Sequence, residues 1–158
     1  PDRGGNPVNF TIREFDAPAD YAGFADMLNA LMPHNPTVPA DWIEHDERMD
    51  DRCRMQRWVA VNETGMIVGV GQYAQYVWTY HPQKFNLWVR VHPDYQRRGL
   101  GLRLIAAAEH ALRDNGGLHV LAAHVEDWNA ASLALFEKAG YHRHSEVVYF
   151  SKRQRDDV

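Results

Sequence analysis

A chain of 158 residues and 18.2 kDa is about the length of one domain, and a hydrophobic content of 45% is enough for a packed core. The 21 acidic residues outnumber the 17 basic ones, which argues against a general binder of nucleic acid or anionic membranes because such proteins are usually basic. The single cysteine, Cys53, excludes an internal disulfide and a multi-cysteine zinc site, and it favours a reducing, cytoplasmic setting.

The start of the chain, residues 1–7, is polar and rich in helix and strand breakers, and it has no signal-peptide pattern. No apolar run in the sequence approaches the ~20 residues that are needed to span a bilayer. Because the chain does not begin with methionine, the sequence leaves open that it is a trimmed or excised piece of a longer protein.

The first half of the chain predicts a strand, two helices and a two-stranded hairpin. Apolar and polar side chains alternate along the first strand, whereas apolar residues recur every three or four positions along the first helix. The second helix is acidic, and the turn Asn62–Gly65 joins the two hairpin strands. The expected bounds of these five elements are 8–15, 18–32, 39–51, 56–61 and 66–79.

The second half of the chain predicts the order strand, helix, strand, helix, strand. The first of these strands ends at Pro93, which has no N–H for a ladder. A strand–helix–strand crossover follows, and it requires two parallel neighbours. Either Asp127 or Asn129 is expected to cap the last helix, and Gly140 ends it. The expected bounds are 84–92, 99–114 and 118–124 for the crossover and 141–150 for the final strand.

The segment most informative about chemistry is Gln96–Gly101, which lies directly between a strand and a helix. Unpaired N–H groups at a helix start, reinforced by the helix dipole, form an anion site, and the two glycines let a phosphate approach them. A plain tight turn with solvated arginines is the alternative. Two other glycine loops do not fit, because Leu104 replaces the third glycine of a dinucleotide fingerprint and Leu102–Arg103 replace the Lys-Ser/Thr of a P-loop.

Two motifs resemble those of the GCN5-related N-acetyltransferases, the GNAT family. The first hallmark, Gln/Arg-x-x-Gly-x-Gly/Ala after a strand ending in Val-x-Pro, is matched over Val91–Gly101. The second hallmark, Asn-x-x-Ala/Ser-x-x-Leu-Tyr/Phe-Glu-Lys-x-Gly-Phe/Tyr, is matched over Asn129–Tyr141. The element order also fits this family, so we expect one such domain over residues 8–150, with flexible ends at 1–7 and 151–158.

The resemblance implies an α/β fold with four helices and a mixed, mostly antiparallel sheet of six to seven strands. That sheet would be splayed between the parallel strands 84–92 and 118–124. Acetyl-CoA would lie in the opening as co-substrate, and its acetyl group would pass directly to a primary amine in a ternary complex. The alternative is a non-catalytic acyl-CoA-binding module, or one half of a tandem protein of the same family.

The expected partner is a small-molecule or peptide amine. Neither nucleic acid, a membrane nor a metal ion is expected as a partner, and a homodimer stays open. The aromatic residues around the expected acceptor side face an acidic helix and could hold a cationic amine, whereas an ordinary solvated helix face is the plainer alternative. These aromatic residues are Tyr73, Tyr76, Trp78, Tyr80 and Trp88.

By the same resemblance, the backbone of Val89, Arg90 and Val91 would bind the pantetheine arm and the acetyl carbonyl, and the N–H of Val91 would face the oxyanion. Asn129 looks like the family's cofactor-contacting asparagine, and its alternative role is to cap the following helix. The loop that would take the pyrophosphate provides the remaining expected cofactor-binding residues, which are Gln96, Arg97, Arg98, Gly99, Leu100, Gly101 and Leu102.

The acid that would protonate the departing thiolate is missing from its usual place. Phe136 stands where many members of the family have a tyrosine, and it has no proton to donate. Water, Tyr141 or Ser132 would then replace that acid, or the thiolate would leave unprotonated.

The base that would deprotonate the amine is also changed. The glutamate that some members carry on the strand 84–92 is absent here. Other members place a glutamate five residues before the motif asparagine, where this chain has His124, a side-chain type that acts as a base near neutral pH. Glu126 is the next candidate base.

Overall fold

The computed structural model describes residues 9–114 and 120–144. Helices cover both faces of one sheet in this part of the chain. The strands are β1 (Thr11–Glu14), β2 (Met55–Val61), β3 (Ile67–Ala74), β4 (Lys84–Val91) and β5 (Val120–Ala122). The helices are α1 (Tyr21–Leu31), α2 (Pro39–Glu47), α3 (Leu100–Asp114) and α4 (Ala130–Lys138), with short 3₁₀ turns at Val77–Thr79 and Pro93–Tyr95.

The sheet runs in the order β1-β2-β3-β4-β5, and β4 with β5 is its one parallel pair over the described residues. This confirms the predicted α/β fold with a mixed, mostly antiparallel sheet and four helices. The predicted count of six to seven strands is wrong for the part of the chain that the structure describes, which holds five strands.

The final predicted strand, 141–150, is missing at its beginning. Tyr141–His144 carry no strand, because the N–H of Tyr141 still donates to the carbonyl of Phe136 (3.0 Å) and so closes the end of α4. Gly140, with a φ of +88°, provides the left-handed residue that this helix end requires. Residues 115–119, residues 145–150 and the predicted flexible ends lie outside the described residues.

Two hydrophobic clusters lie on opposite faces of the sheet. One lies between the sheet and α3 with α4, and its fully buried members include Phe85, Leu100 and Leu104. The other lies between the sheet and α1, with Phe24 and Leu28 at its centre. The strands thus sit between two layers of helices, and the alternation of side chains along β4 decides which residues face which layer.

Strand β5 ends at Ala122, two residues earlier than predicted. Two further predicted elements end four or more residues earlier than expected, and polar side chains bind the backbone just beyond both ends. Helix α2 stops at Glu47 instead of residue 51, because the Asp50 carboxylate accepts hydrogen bonds from the N–H and the guanidinium of Arg52. Strand β3 stops at Ala74 instead of residue 79. The next residue, Gln75, is 2% exposed, and its side-chain amide donates to the carbonyl of His81 (2.9 Å), which folds the chain into a loop.

The glycines of β3 serve packing. A Cβ on Gly69 would lie 3.1 Å from the Leu104 side chain, and one on Gly71 would lie 3.2 Å from it, so both positions let α3 approach the sheet closely.

Within the described residues, no helix is long and apolar enough to cross a bilayer.

Candidate active site

The sheet opens between β4 and β5. The two strands pair only from Lys84 to Asn86 against Val120 to Ala122, whereas β4 continues to Val91. The edge of β4 beyond Asn86 therefore has no partner strand among the described residues. This is the predicted splay, and it leaves one strand edge available to a ligand.

Hydrogen bonds show which backbone groups face the opening. The N–H of His92 donates to Val68 on β3 (2.9 Å), whereas the carbonyl of Gln83 accepts from Val120 on the β5 side (2.7 Å). Backbone groups alternate sides along a strand. The N–H and C=O groups of Val89 and Val91 therefore point into the opening, as the binding of an extended pantetheine arm requires.

Two of these backbone carbonyls already accept hydrogen bonds from side chains. Gln96 donates its side-chain amide to the carbonyl of Val91 (3.1 Å), and Arg90 donates a guanidinium N–H to the carbonyl of Val89 (3.0 Å). Both bonds lie on the edge that faces the opening. The structure thus places the predicted residues Gln96, Arg90, Val89 and Val91 around one strand end.

The loop before α3 has the shape of an anion site. Arg97 and Gly99 both have left-handed backbones, with φ values of +64° and +77°, and a Cβ on Gly99 would meet nothing within 4 Å. The first N–H groups of α3, from Leu100 onward, have no partner inside the helix. Arg97 and Arg98 are exposed beside them, so the loop combines free donors, open space and positive charge.

Gly101 has a packing role that its place in the motif does not suggest. A Cβ there would lie 2.9 Å from the Leu135 side chain of α4. This glycine therefore lets α4 pack against the first turn of α3. The neighbouring loop residue Leu100 is 1% exposed and belongs to the core, whereas Leu102 is partly buried.

Asn129 is the cap of α4, since its side-chain oxygen accepts from the N–H of Ser132 (3.1 Å). Of the two predicted caps, this one is confirmed and Asp127 is not the cap. Capping orients α4, and contact between the same side chain and a cofactor stays a prediction.

The two candidate bases lie just past the paired part of β5. His124 and Glu126 are both exposed, in a segment without regular structure. Continuing the register of the parallel pair, in which Asn86 faces Ala122, would put His124 level with Trp88 of β4. His124 is thus two residues beyond the last paired residue, on the far side of the opening from β4.

Tyr141 is placed differently from the other candidates. Its hydroxyl is buried without a well-formed hydrogen bond, near Glu109 in the second half of α3. Burial, with the nearby carboxylate, raises the pKa of Tyr141 well above its usual range. Its ring packs edge-on against Phe136 at 5.2 Å, and both rings contact the core on the α3 face. This placement favours a structural role for Tyr141 over that of a thiolate acid.

The acidic helix is tied to the sheet by a buried arginine. Asp46 of α2 accepts two hydrogen bonds, each 3.0 Å, from Arg57, whose side chain is 2% exposed. The hydroxyl of Tyr21 also donates to Asp46 (2.8 Å), and burial with this bond raises the pKa of Tyr21 to about 12. Three rings surround the guanidinium at 4.7–5.9 Å, those of Phe15, Phe24 and Trp42.

The carboxylate and the aromatic cage thus already hold a cation that belongs to the protein. Asp41, Glu44 and Glu47 of the same helix are exposed, and the binding of a cationic amine opposite this helix stays a prediction beside the solvated-face alternative. The aromatic residues also divide: Tyr73 is in the core, Tyr76 and Trp88 are partly buried, and Trp78 is 80% exposed with its ring stacked on Tyr76.

Two features of this face were not predicted from the sequence, the Arg57–Asp46 pair and the side chain of Arg90. A charged residue directly before the apolar run Trp58–Val61 was a signal for a buried arginine that needs a partner. The position of the Arg90 guanidinium had no such signal, since it depends on where β5 leaves the sheet.

A family model described as "Acetyltransferase (GNAT) family" matches residues 23–141. The L-amino acid N-acyltransferase MnaT of Escherichia coli is 29% identical over 135 residues, which cover 80% of this chain and 77% of that protein. An L-methionine sulfoximine/L-methionine sulfone acetyltransferase of Pseudomonas paraeruginosa is 28% identical over 139 residues, covering 76% of this chain and 77% of that protein.

The fold also matches solved structures. A putative acetyltransferase of Salmonella typhimurium, yncA, solved with its cofactor acetyl-CoA, superposes with a TM-score of 0.72 at 24% identity. The match covers 90% of this chain and 87% of that one.

Proposed function

Because this chain belongs to the acetyltransferase (GNAT) family and is an acetyl-CoA-dependent N-acetyltransferase, we propose that it acetylates small primary amines in the opening between β4 and β5. The observation that carries the proposal is the unpaired edge of β4 beside the free N–H groups of α3. Two relatives whose names specify amino acids or their analogues support a small acceptor over a peptide.

The residues present fit acetyl-CoA. The open-edge backbone groups of Val89 and Val91 would hold the pantetheine arm, and the loop Arg97–Leu102 would hold the pyrophosphate on its N–H groups and arginines. Gln96 and Arg90 would release the two carbonyls that they occupy. When bound, acetyl-CoA supplies the activated acetyl thioester.

The amine must lose a proton before it can attack, since an ammonium has no free electron pair. His124 is our candidate base, directly or through water, because its exposed side chain follows the point where β5 leaves β4. Glu126, two residues further on, is the second candidate. The N–H of Val91, which faces the opening, would donate to the carbonyl oxygen of the acetyl group as negative charge develops on that oxygen.

Departure of the thiolate needs no protein acid in this proposal. Phe136 packs in the core, and the buried hydroxyl of Tyr141 lies beside Glu109, two and a half turns along α3 from Leu100. The thiolate would take a proton from water or leave unprotonated, and Ser132 stays the alternative acid.

The proposal is tested with purified protein, acetyl-CoA and a panel of primary amines that includes L-methionine sulfone, L-phenylalanine, a peptide and an aminoglycoside. We expect release of free CoA and an acetylated product with a small amine. Calorimetric binding of acetyl-CoA without turnover of any amine would instead indicate a non-catalytic acyl-CoA-binding module.

A further inference from the structure

On the side of the sheet that faces α1 and α2, Arg57 and Arg90 lie in very different surroundings. Arg57 of β2 is fully paired with Asp46 and Gln72. Arg90 of β4 is partly buried, and its guanidinium makes one hydrogen bond, to the carbonyl of Val89 (3.0 Å). Across the described ranges, 9–114 and 120–144, no carboxylate forms an ion pair with Arg90.

The position of this guanidinium follows from the backbone. The Val89 carbonyl points into the opening between β4 and β5, so the group that donates to it lies at the opening as well. The guanidinium also lies over the ring of Trp88, with its central carbon 4.8 Å from the ring centre. Because Trp88 precedes Arg90 on β4, the side chain leans back along the strand and away from the loop at Arg97–Leu102.

From these positions we infer that Arg90 binds the carboxylate of the amine acceptor and so selects acceptors of the amino-acid type. The inference rests on the proposed transfer to small primary amines. It makes Arg90 a specificity-determining residue that contacts the acceptor through its side chain, in addition to the backbone contact expected with the cofactor.

The charge of Arg90 favours an anionic ligand. Burial lowers the pKa of Arg90 from its usual value, so the charged guanidinium has lost hydration that no carboxylate of the described residues replaces. An anion from a ligand would replace it, and the planar fork of arginine suits a carboxylate with two parallel hydrogen bonds.

The position of Arg90 favours the acceptor over the cofactor as the source of the anion that it binds. The phosphates of acetyl-CoA have their own positive site at α3, with Arg97, Arg98 and the helix N-terminus. Arg90 leans toward Trp88 instead, and continuing the parallel register would place His124, two residues beyond β5, level with Trp88 on the far side of the opening. In an α-amino acid the amine and the carboxylate share one carbon, so a group that holds the carboxylate also orients the amine.

The experiment compares amines that differ only in the carboxylate. L-Methionine sulfone is paired with 3-(methylsulfonyl)propylamine, and L-phenylalanine with phenethylamine. The measured quantity is the ratio of kcat/KM for the amino acid to kcat/KM for its carboxylate-free partner. Wild-type enzyme should favour the amino acid, and Arg90→Gln should lower the ratio roughly 10- to 100-fold, the range for a lost charge-assisted hydrogen bond. Arg90→Lys should give an intermediate ratio.

Arg54→Gln is the matched control, because Arg54 also lies over an aromatic ring, that of Phe85 at 4.9 Å, but is exposed and outside the proposed site. It should keep the wild-type ratio. A readout without turnover is the calorimetric Kd of L-methionine sulfone for the complex of enzyme and CoA, which should rise with Arg90→Gln by a similar factor.

Three results would overturn the inference. The ratio could stay at its wild-type value in Arg90→Gln, the loss could appear only in the Kd of acetyl-CoA, or wild-type enzyme could acetylate only the carboxylate-free amines. If wild-type enzyme binds acetyl-CoA but acetylates no amine at all, the proposed function itself fails, which is a distinct outcome.

Discussion

His124 is the residue on which the chemistry of the amine depends most directly. It is exposed, follows β5 by two residues, and belongs to the side-chain type that changes charge between pH 5 and 8. A base in this position takes a proton from the amine, so a side chain that cannot accept one should slow acetyl transfer.

We predict that His124→Gln lowers kcat/KM by roughly 10²-fold or more, the lower end of general-base effects, because glutamine cannot accept a proton from the amine. The affinity for acetyl-CoA, measured by calorimetry, should hardly change, since the phosphate loop lies elsewhere. His110→Gln is the control, because His110 is exposed on α3 and pairs with Asp114 at 3.5 Å. A His124→Gln enzyme with the wild-type rate would move the role to Glu126 or to water.

For single residues, the sequence predicted where a residue lies in the fold better than which side chains it contacts. The glycine loop, the capping role of Asn129 and the opening beside Val89 follow from motifs and local rules, and the structure shows each of them. The Arg57–Asp46 pair joins residues 11 positions apart through tertiary packing, and local patterns do not encode such a contact. Tyr141 shows the same limit, since its burial beside Glu109 depends on how α4 packs against α3.

Among the elements, β1 and α1 are joined by a buried carboxylate. Asp20 is 6% exposed, and it accepts hydrogen bonds from the Arg13 guanidinium (2.6 and 2.8 Å) and from the N–H of Asp16 (2.8 Å). The hydrogen bond from Arg13 is the main cause that lowers the pKa of Asp20. A carboxyl whose pKa is lower in the folded than in the unfolded state stabilises the fold above its unfolded pKa, and that stability is lost as the pH falls.

We therefore predict that Asp20→Asn lowers the free energy of unfolding by about 1 kcal/mol at pH 7, a small value because Arg13 is 42% exposed and solvent screens the pair. The difference between wild type and variant should shrink as the pH falls below about 3.9, the pKa of an unfolded aspartate. Urea unfolding at pH 7 and pH 3 measures it, with Asp26→Asn, an exposed position on α1, as the control. A difference that is the same at both pH values would contradict the account.

Element ends were the part of the fold that the sequence predicted least well. The sequence predicted every α-helix and strand of the described residues, but α2 and β3 end earlier than predicted, and Asp50 and Gln75 bind the backbone just beyond them. Gly69 and Gly71 suggested a loosened strand, whereas the structure uses them to bring α3 close to β3. Hydrophobic period reports which face is buried, and it does not report which polar side chain ends an element.

For the whole molecule, the opening of the sheet and the start of α3 form one continuous surface. Strand β4 supplies the unpaired edge, the 3₁₀ turn Pro93–Tyr95 leads from it, and the loop with Gly99 leads into the N-terminus of α3. Helices α1 and α2 cover the face of the sheet opposite α3, and Arg90 and Trp88 lie on that face. One ligand can therefore be held at its extended arm by a strand and at its phosphates by a helix.

The central claim is that acetyl-CoA lies along this surface with its pyrophosphate at Gly99. The backbone there has a φ of +77° and open space around a Cβ, so Asn and Asp, which tolerate that conformation best, should both fold. The calorimetric Kd of acetyl-CoA for Gly99→Asp and Gly99→Asn then isolates the effect of one negative charge. We predict that Gly99→Asp binds acetyl-CoA at least ~10-fold more weakly than Gly99→Asn, because a carboxylate would repel the phosphates at close range. Equal affinities in the two variants would contradict the account.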